Sequence, residues 1–174
     1  KPALEARGFE VAVFHATGMG GRAFESLAAE GAFAAVMDFA PQEAGNHMYG
    51  SAISAGPDRM TNAGRAGIPQ MVSIGCYDLI DFVGWHPLPA AFQDTPAHAH
   101  NRLLTSVVQT AAQRRALARE ICAKLAAAKA PVSFFLPLHG GNEWDRPGGP
   151  LADPAALADF CDEMRQHCPA NVEL

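Results

Sequence analysis

A chain of 174 residues with 49% hydrophobic content has the size of one ordinary domain and enough apolar material for a substantial core. Its formal net charge of −5 argues against nucleic-acid binding, which requires a clustered basic face. No apolar run approaches the roughly 20 residues of a membrane span, and the four cysteines are spaced for neither a zinc site nor a disulfide scaffold. These features predict a cytoplasmic protein that binds neither nucleic acid nor membrane.

The predicted elements alternate between strand and helix. In the first half of the chain we expect the end of a helix at 1–8, a strand at 9–15, a helix at 21–30, a strand at 35–39, a helix from Pro41, a helix at 58–66 and a strand at 70–73. A long loop at 84–100 follows. In the second half we expect a helix at 106–129, a strand at 132–138, a glycine-rich loop at 139–150, a helix at 153–167 and a strand from Val172.

This alternation predicts parallel strands joined by right-handed crossovers. The expected fold class is α/β: a single three-layer, Rossmann-like domain over residues 1–174, with a mainly parallel sheet and helices on both faces. Because no strand precedes the helical residues 1–8 and the last strand stops after three residues, we expect a fragment of a longer polypeptide.

A glycine-rich turn joins the first predicted strand to the helix that follows it. Glycines let a backbone approach a ligand closely, and the free N–H groups of a helix amino terminus attract anions. The turn therefore predicts a phosphate-binding site made of Thr17, Gly18, Gly20, Gly21 and Arg22. Gly18-x-Gly20-x-x-Ala23, with Asp38 twenty residues after Gly18, also fits a relaxed dinucleotide fingerprint, so NAD(P) and a purely structural turn stay open.

Two further loops supply the remaining candidate ligands. Ser54, Gly56, Asp58 and Arg59 form a loop-to-helix junction, where Asp58 is also a natural N-cap and Arg59 hints at an anionic partner. Gly148 and Gly149 lie in the loop after the strand at 132–138. Because loops at the carboxyl ends of parallel strands meet at one edge of a sheet, we expect all three loops to surround one ligand.

Two other function classes remain as alternatives. Ala52-x-Ser54-x-Gly56 imitates a nucleophile elbow, but the oxyanion-like His139-Gly140-Gly141 follows it, the reverse of the α/β-hydrolase order. A Ser54 hydrolase is therefore only an alternative, and no catalytic residue or metal ligand is predicted. The apolar loop at 82–88 favours the other alternative, a ligand-free oligomerisation or protein-interaction domain.

Several motifs in series carry a family resemblance. Residues 14–23, 54–59 and 66–73, followed by His100-Asn101 and residues 147–154, resemble the C-terminal part of the UPF0261 family, also called Tm-1-like ATP-binding proteins. The resemblance implies a pair of Rossmann-like halves, of which this chain is the second and the missing N-terminal half its partner. It also implies ATP as the ligand, with Mg²⁺ as a companion ion. We expect a nucleotide-binding domain that assembles into a homo-oligomer.

Overall fold

The computed structural model describes all 174 residues and is built around a parallel four-stranded sheet. The strands are β1 (Val36–Asp38), β2 (Gln70–Ser73), β3 (Leu79–Val83), β4 (Ala97–Ala99), β5 (Leu104–Val108), β6 (Val132–Phe135) and β7 (Val172–Glu173). The helices are α1 (Pro2–Glu5), α2 (Met19–Ala29), α3 (Gln42–Met48), α4 (Asn62–Arg65), α5 (Ala111–Leu125) and α6 (Pro154–His167). The parallel sheet has the order β1-β2-β6-β7, which confirms the predicted α/β class.

The core lies between the parallel sheet and the longer helices. Val36, Gln70, Val132 and Val172 are aligned across the four strands and point to the same face. On this face β2, β6 and β7 share one core cluster with α5 and α6, while Val36 packs with α2 and α4. The ends of α5 and α6 are set locally: Thr110 forms a capping box with Gln113, and Asp153 accepts a hydrogen bond from the backbone N–H of Ala156.

A second, antiparallel sheet corrects two sequence predictions. Strands β3, β5 and β4 pair in that order, so the predicted loop at 84–100 contains β4 and a short 3₁₀ helix at Ala90–Phe92. The helix predicted from Ser106 begins at Ala111, because residues 104–108 pair with β3 instead. Pairing between distant segments leaves little periodic signal in a short stretch of sequence, so the sequence analysis did not predict this antiparallel sheet.

Two other predicted elements differ from the structure. Residues 9–15 form no strand: they lack a paired neighbour, and Phe9 and Val13 are exposed by 58% and 73%. An apolar run alone does not make a strand when no backbone partner lies beside it. The helix predicted at 58–66 shortens to α4, because Met60 adopts a φ of +72° that interrupts it. Helices α2, α3 and α6 and strands β1, β2, β6 and β7 lie where they were predicted.

None of the helices combines the length and the apolar character needed to cross a membrane.

Candidate functional site

The glycine-rich turn and the loop around Ser54 meet beside β1. Gly18 is the N-cap of α2, with a φ of +92°, and a Cβ atom there would lie 3.4 Å from the backbone nitrogen of Ser54. Arg22, in the first turn of α2, donates from Nε to the carbonyl oxygen of Ser54 at 3.2 Å. The fold thus brings together two of the three loops that the sequence analysis assigned to one ligand.

Glu43 of α3 reaches into this junction and explains the glycines. The backbone N–H of Gly18 donates to Glu43 Oε1 at 2.5 Å. A Cβ atom on Gly21 would lie 1.9 Å from Glu43 Oε2, and one on Gly20 would lie 1.9 Å from the carbonyl oxygen of His15. Contacts within the protein therefore require glycine at both positions, whether or not a ligand binds.

Arg59 is buried at the centre of an acidic cluster. Its side chain is 3% exposed, and Nε donates to Glu43 Oε2 at 2.7 Å. Nη1 and Nη2 both bind the carboxylate of Asp38, and Nη1 lies 3.5 Å from Glu25 Oε1. Burial lowers the pKa of Arg59, but the carboxylates of Asp38 and Glu43 outweigh it and raise the pKa above its ordinary value. The guanidinium is thus already held by three carboxylates.

Glu25 completes the cluster from α2. Its carboxylate accepts hydrogen bonds from the backbone N–H groups of Met60 at 2.5 Å and Asn62 at 3.1 Å. Burial raises the pKa of Glu25, and these two hydrogen bonds oppose the rise. Three carboxyl groups facing one guanidinium make this part of the protein more acidic than basic, so an incoming anion meets repulsion next to Arg59.

The amino terminus of α2 keeps three donors free. The backbone N–H groups of Met19, Gly20 and Gly21 have no hydrogen-bond acceptor within the protein. The first turn of α2 contains no acidic side chain, and Thr17 and Arg22 beside it are exposed. Free amides at a helix amino terminus, with a cation next to them, suit the oxygen atoms of an anion.

Ser54 has a histidine partner that sequence reasoning did not find. Its buried Oγ lies 3.3 Å from His47 Nδ1 and accepts a hydrogen bond from the backbone N–H of Gly56 at 3.0 Å. His47 is seven residues earlier, on α3, and a contact between separate elements leaves no motif to recognise. The pair joins a hydroxyl to a base, the arrangement from which serine nucleophiles are built.

Three predicted ligand residues lie outside this junction. Asp58 is exposed and pairs with Arg65 at 3.3 Å. Gly148 and Gly149 turn the loop after β6, where Gly149 N–H donates to the carbonyl oxygen of Arg146 at 2.7 Å. No hydrogen bond joins this loop to the turn at 17–22. A cleft of about 450 Å³ lies away from this junction, at the amino ends of β6 and β7, where residues 128–133 and 170–173 line it.

Comparison with known proteins places the chain in a family. A family model described as "Uncharacterised protein family (UPF0261) C-terminal domain" matches residues 1–174. The chain belongs to the UPF0261 family. A UPF0261 protein of Brucella melitensis is 56% identical over 165 residues, which are 95% of this chain and 40% of the relative.

More distant relatives cover a similar share of the UPF0261 chain. A UPF0261 protein of Clostridium tetani is 36% identical over 148 residues, 85% of this chain and 37% of the relative. The tomato protein named ToMV resistance protein Tm-1 (Solanum lycopersicum) is 31% identical over 165 residues, 95% of this chain and 22% of the relative. The chain thus spans about 40% of the length of the bacterial relatives, as expected for the C-terminal part of a larger protein.

A second buried cluster of this UPF0261 domain follows β2. The side chain of Asp78 is fully buried; Oδ1 accepts from Asn142 Nδ2 at 2.7 Å, while Oδ2 has no partner. Burial, together with repulsion from Asp145, raises the pKa of Asp78 to about 6. Arg114 is also fully buried and donates from Nη1 to the hydroxyl of Tyr77 at 3.2 Å. This cluster joins the loop after β2 to the loop after β6.

Proposed function

We propose that this UPF0261 domain binds the phosphate groups of ATP at the amino terminus of α2. The observation that carries the proposal is the set of three free N–H groups, on Met19, Gly20 and Gly21, at the start of an 11-residue helix. Phosphate oxygens accept hydrogen bonds from such amides, and the helix dipole favours their charge. The exposed side chains of Thr17 and Arg22 supply a hydroxyl and a positive charge at the same place.

The neighbouring acidic cluster favours a nucleotide that carries Mg²⁺. Glu25, Asp38 and Glu43 surround Arg59, so a bare polyphosphate approaching α2 meets a net negative environment. Mg²⁺ bound to the nucleotide offsets that repulsion, and the proposal is therefore MgATP rather than free ATP. Gly18 and Arg59 take no part, because their donors already have carboxylate partners.

Calorimetric titration with MgATP tests the proposal. The affinity is expected to fall by about tenfold or more in Arg22→Ala, because the charge-assisted contact is lost. Arg102→Ala is the matched control, since Arg102 is exposed between β4 and β5 and has no side-chain partner. No heat and no thermal shift with MgATP, or equal affinities for the two variants, would overturn the proposal.

The contact between Ser54 and His47 favours a second candidate function, a serine hydrolase. His47 Nδ1 would accept the proton of Ser54 Oγ when that oxygen attacks an acyl group. A fluorophosphonate probe is then expected to label the protein on Ser54 and to leave Ser54→Ala unlabelled. An unlabelled parent protein would remove this candidate.

We also propose a cytoplasmic location and self-association. All four cysteines are free thiols, the usual state in the reducing cytoplasm.

Trp85 and Leu103 are 63% and 61% exposed at the end of the paired strands β3 and β5, where the N–H of Gly84 donates to the carbonyl oxygen of Leu103. Exposed large apolar side chains of this kind support a homo-oligomer interface. Trp85→Lys is expected to shift the sedimentation profile to smaller species, and an unchanged profile would contradict this interface.

A further inference from the structure

One face of the parallel sheet lies open. Met37, Met71 and Phe135 point away from the helices and are 46%, 37% and 47% exposed. The register aligns Met37 with Met71 and Ser133, and Ser73 with Phe135, so these side chains share the face opposite Val36 and Gln70. We call Met37, Met71, Ser133 and Phe135 the open sheet face.

Every helix that packs on the parallel sheet is on its other side. Helices α2 and α4 pack with Val36, and helices α5 and α6 pack with Val132 and its neighbours. Helix α3 contacts α5 and β3, and α1 has no buried residue. Parallel strands occur almost only in sheets that are covered on both faces. Within these 174 residues, the open sheet face therefore lacks the covering layer that parallel sheets normally have.

We propose that the open sheet face packs against another part of the same polypeptide, in a longer protein. The relatives from Brucella and Clostridium extend well beyond the region matched here, which is 40% and 37% of their lengths. That additional polypeptide is long enough to form the missing layer.

The composition of the face fits a permanent contact within one chain. The centre of the open sheet face carries two methionines, a phenylalanine and a serine, and the charged side chain in the same row, Glu173 beside Ser133, lies on the edge strand β7. Surfaces that are covered permanently are more apolar than transient ones and are poor in charge at their centre. Phe9 and Val13 in the unpaired segment at 9–15 are exposed as well, a second apolar surface for the same polypeptide to cover.

Methionine oxidation of the full-length protein tests this inference. Hydrogen peroxide oxidises exposed thioethers, and peptide mass spectrometry reports each methionine separately. Met19, 85% exposed, is the fast reference, and Met60 and Met164, 3% and 1% exposed, are the slow references. If the open sheet face is covered, Met37 and Met71 oxidise at least about tenfold more slowly than Met19 and resemble Met60.

Two results would overturn the inference. Met37 and Met71 that oxidise as fast as Met19 in the full-length protein would show that nothing covers the face. Protection that disappears when the protein is diluted until sedimentation shows a monomer would identify a second copy as the covering partner. Protection that persists in the monomer supports the proposal.

Discussion

The carboxylate of Glu43 accepts a hydrogen bond from the backbone N–H of Gly18 at 2.5 Å, at the N-cap of α2. Glu43 also binds the buried Arg59, so one side chain links the glycine-rich turn to the centre of the acidic cluster. The amide of Gly18 is therefore already bound by an anionic group of the protein itself. A ligand is left with the next three amides, on Met19, Gly20 and Gly21.

Gly21→Ala is expected to destabilise the protein by about 1–3 kcal/mol, because its Cβ would lie 1.9 Å from Glu43 Oε2. At an exposed helical position the same change stabilises by up to about 1 kcal/mol, so the sign of the effect is diagnostic. Urea denaturation measures this change in the free energy of unfolding. Ser26→Ala, at an exposed position of the same helix, is the control and is expected to change little. A Gly21→Ala variant as stable as the parent would contradict the close packing of Gly21 on Glu43.

Glu43→Gln is expected to lower the free energy of unfolding by about 3 kcal/mol, because Arg59 loses one of its buried charge partners. The matched control is Glu143→Gln, which removes an exposed ion pair with Arg146 and is expected to cost less than about 1 kcal/mol. Chemical denaturation measures the loss of unfolding free energy in both variants. Equal losses in the two variants would show that the acidic cluster contributes little.

Asp78→Asn is expected to change how stability depends on pH. The pKa of Asp78 is raised in the folded protein from 3.8 to about 6, so the folded state holds this proton more tightly than the unfolded state. The resulting stability is present below about pH 4 and is lost as pH rises through 6. The free energy of unfolding of Asp78→Asn, relative to that of the parent, should thus rise by up to about 3 kcal/mol between pH 4 and pH 8.

Thermal melts at these two pH values measure the gain for Asp78→Asn. Asp94→Asn is the control, because Asp94 is exposed and has no side-chain hydrogen bond. The same pH profile for Asp78→Asn and the parent would mean that Asp78 does not hold its proton.

Met19→Glu separates ligand binding from stability. Met19 is 85% exposed at the first position of α2, where a negative side chain interacts favourably with the helix dipole. The variant should therefore be at least as stable as the parent and yet bind MgATP more weakly, because the introduced carboxylate repels phosphate. Met19→Gln has the same size without the charge and should keep the affinity. Equal affinity in both variants would place the nucleotide elsewhere.

Local signals were sufficient for many of the elements. Asp153 followed by Pro154 marks the start of α6. The segment at 70–73 after Pro69 predicts β2, and the apolar run at 132–138 predicts β6, because caps, breakers and buried runs act within a few residues. Residues 9–15 have the same composition as a strand, yet none forms, because the backbone there has no neighbour to pair with.

The candidate site was predictable only in part. The glycines and Arg22 are visible as a motif, and the structure does place them at a helix amino terminus beside Ser54. The role of Glu43 was not visible, because it depends on a contact across 25 residues of sequence. His47 was missed for the same reason: its partner Ser54 lies in a different segment.

The free amides at the start of α2 can be observed individually by NMR. In a titration of ¹⁵N-labelled protein with MgATP, the account predicts that the amide signals of Met19, Gly20 and Gly21 shift most and saturate together, while that of Gly18, bound to Glu43, shifts less. Shifts confined to other regions, or no saturable shift at all, would contradict binding of phosphate at this helix.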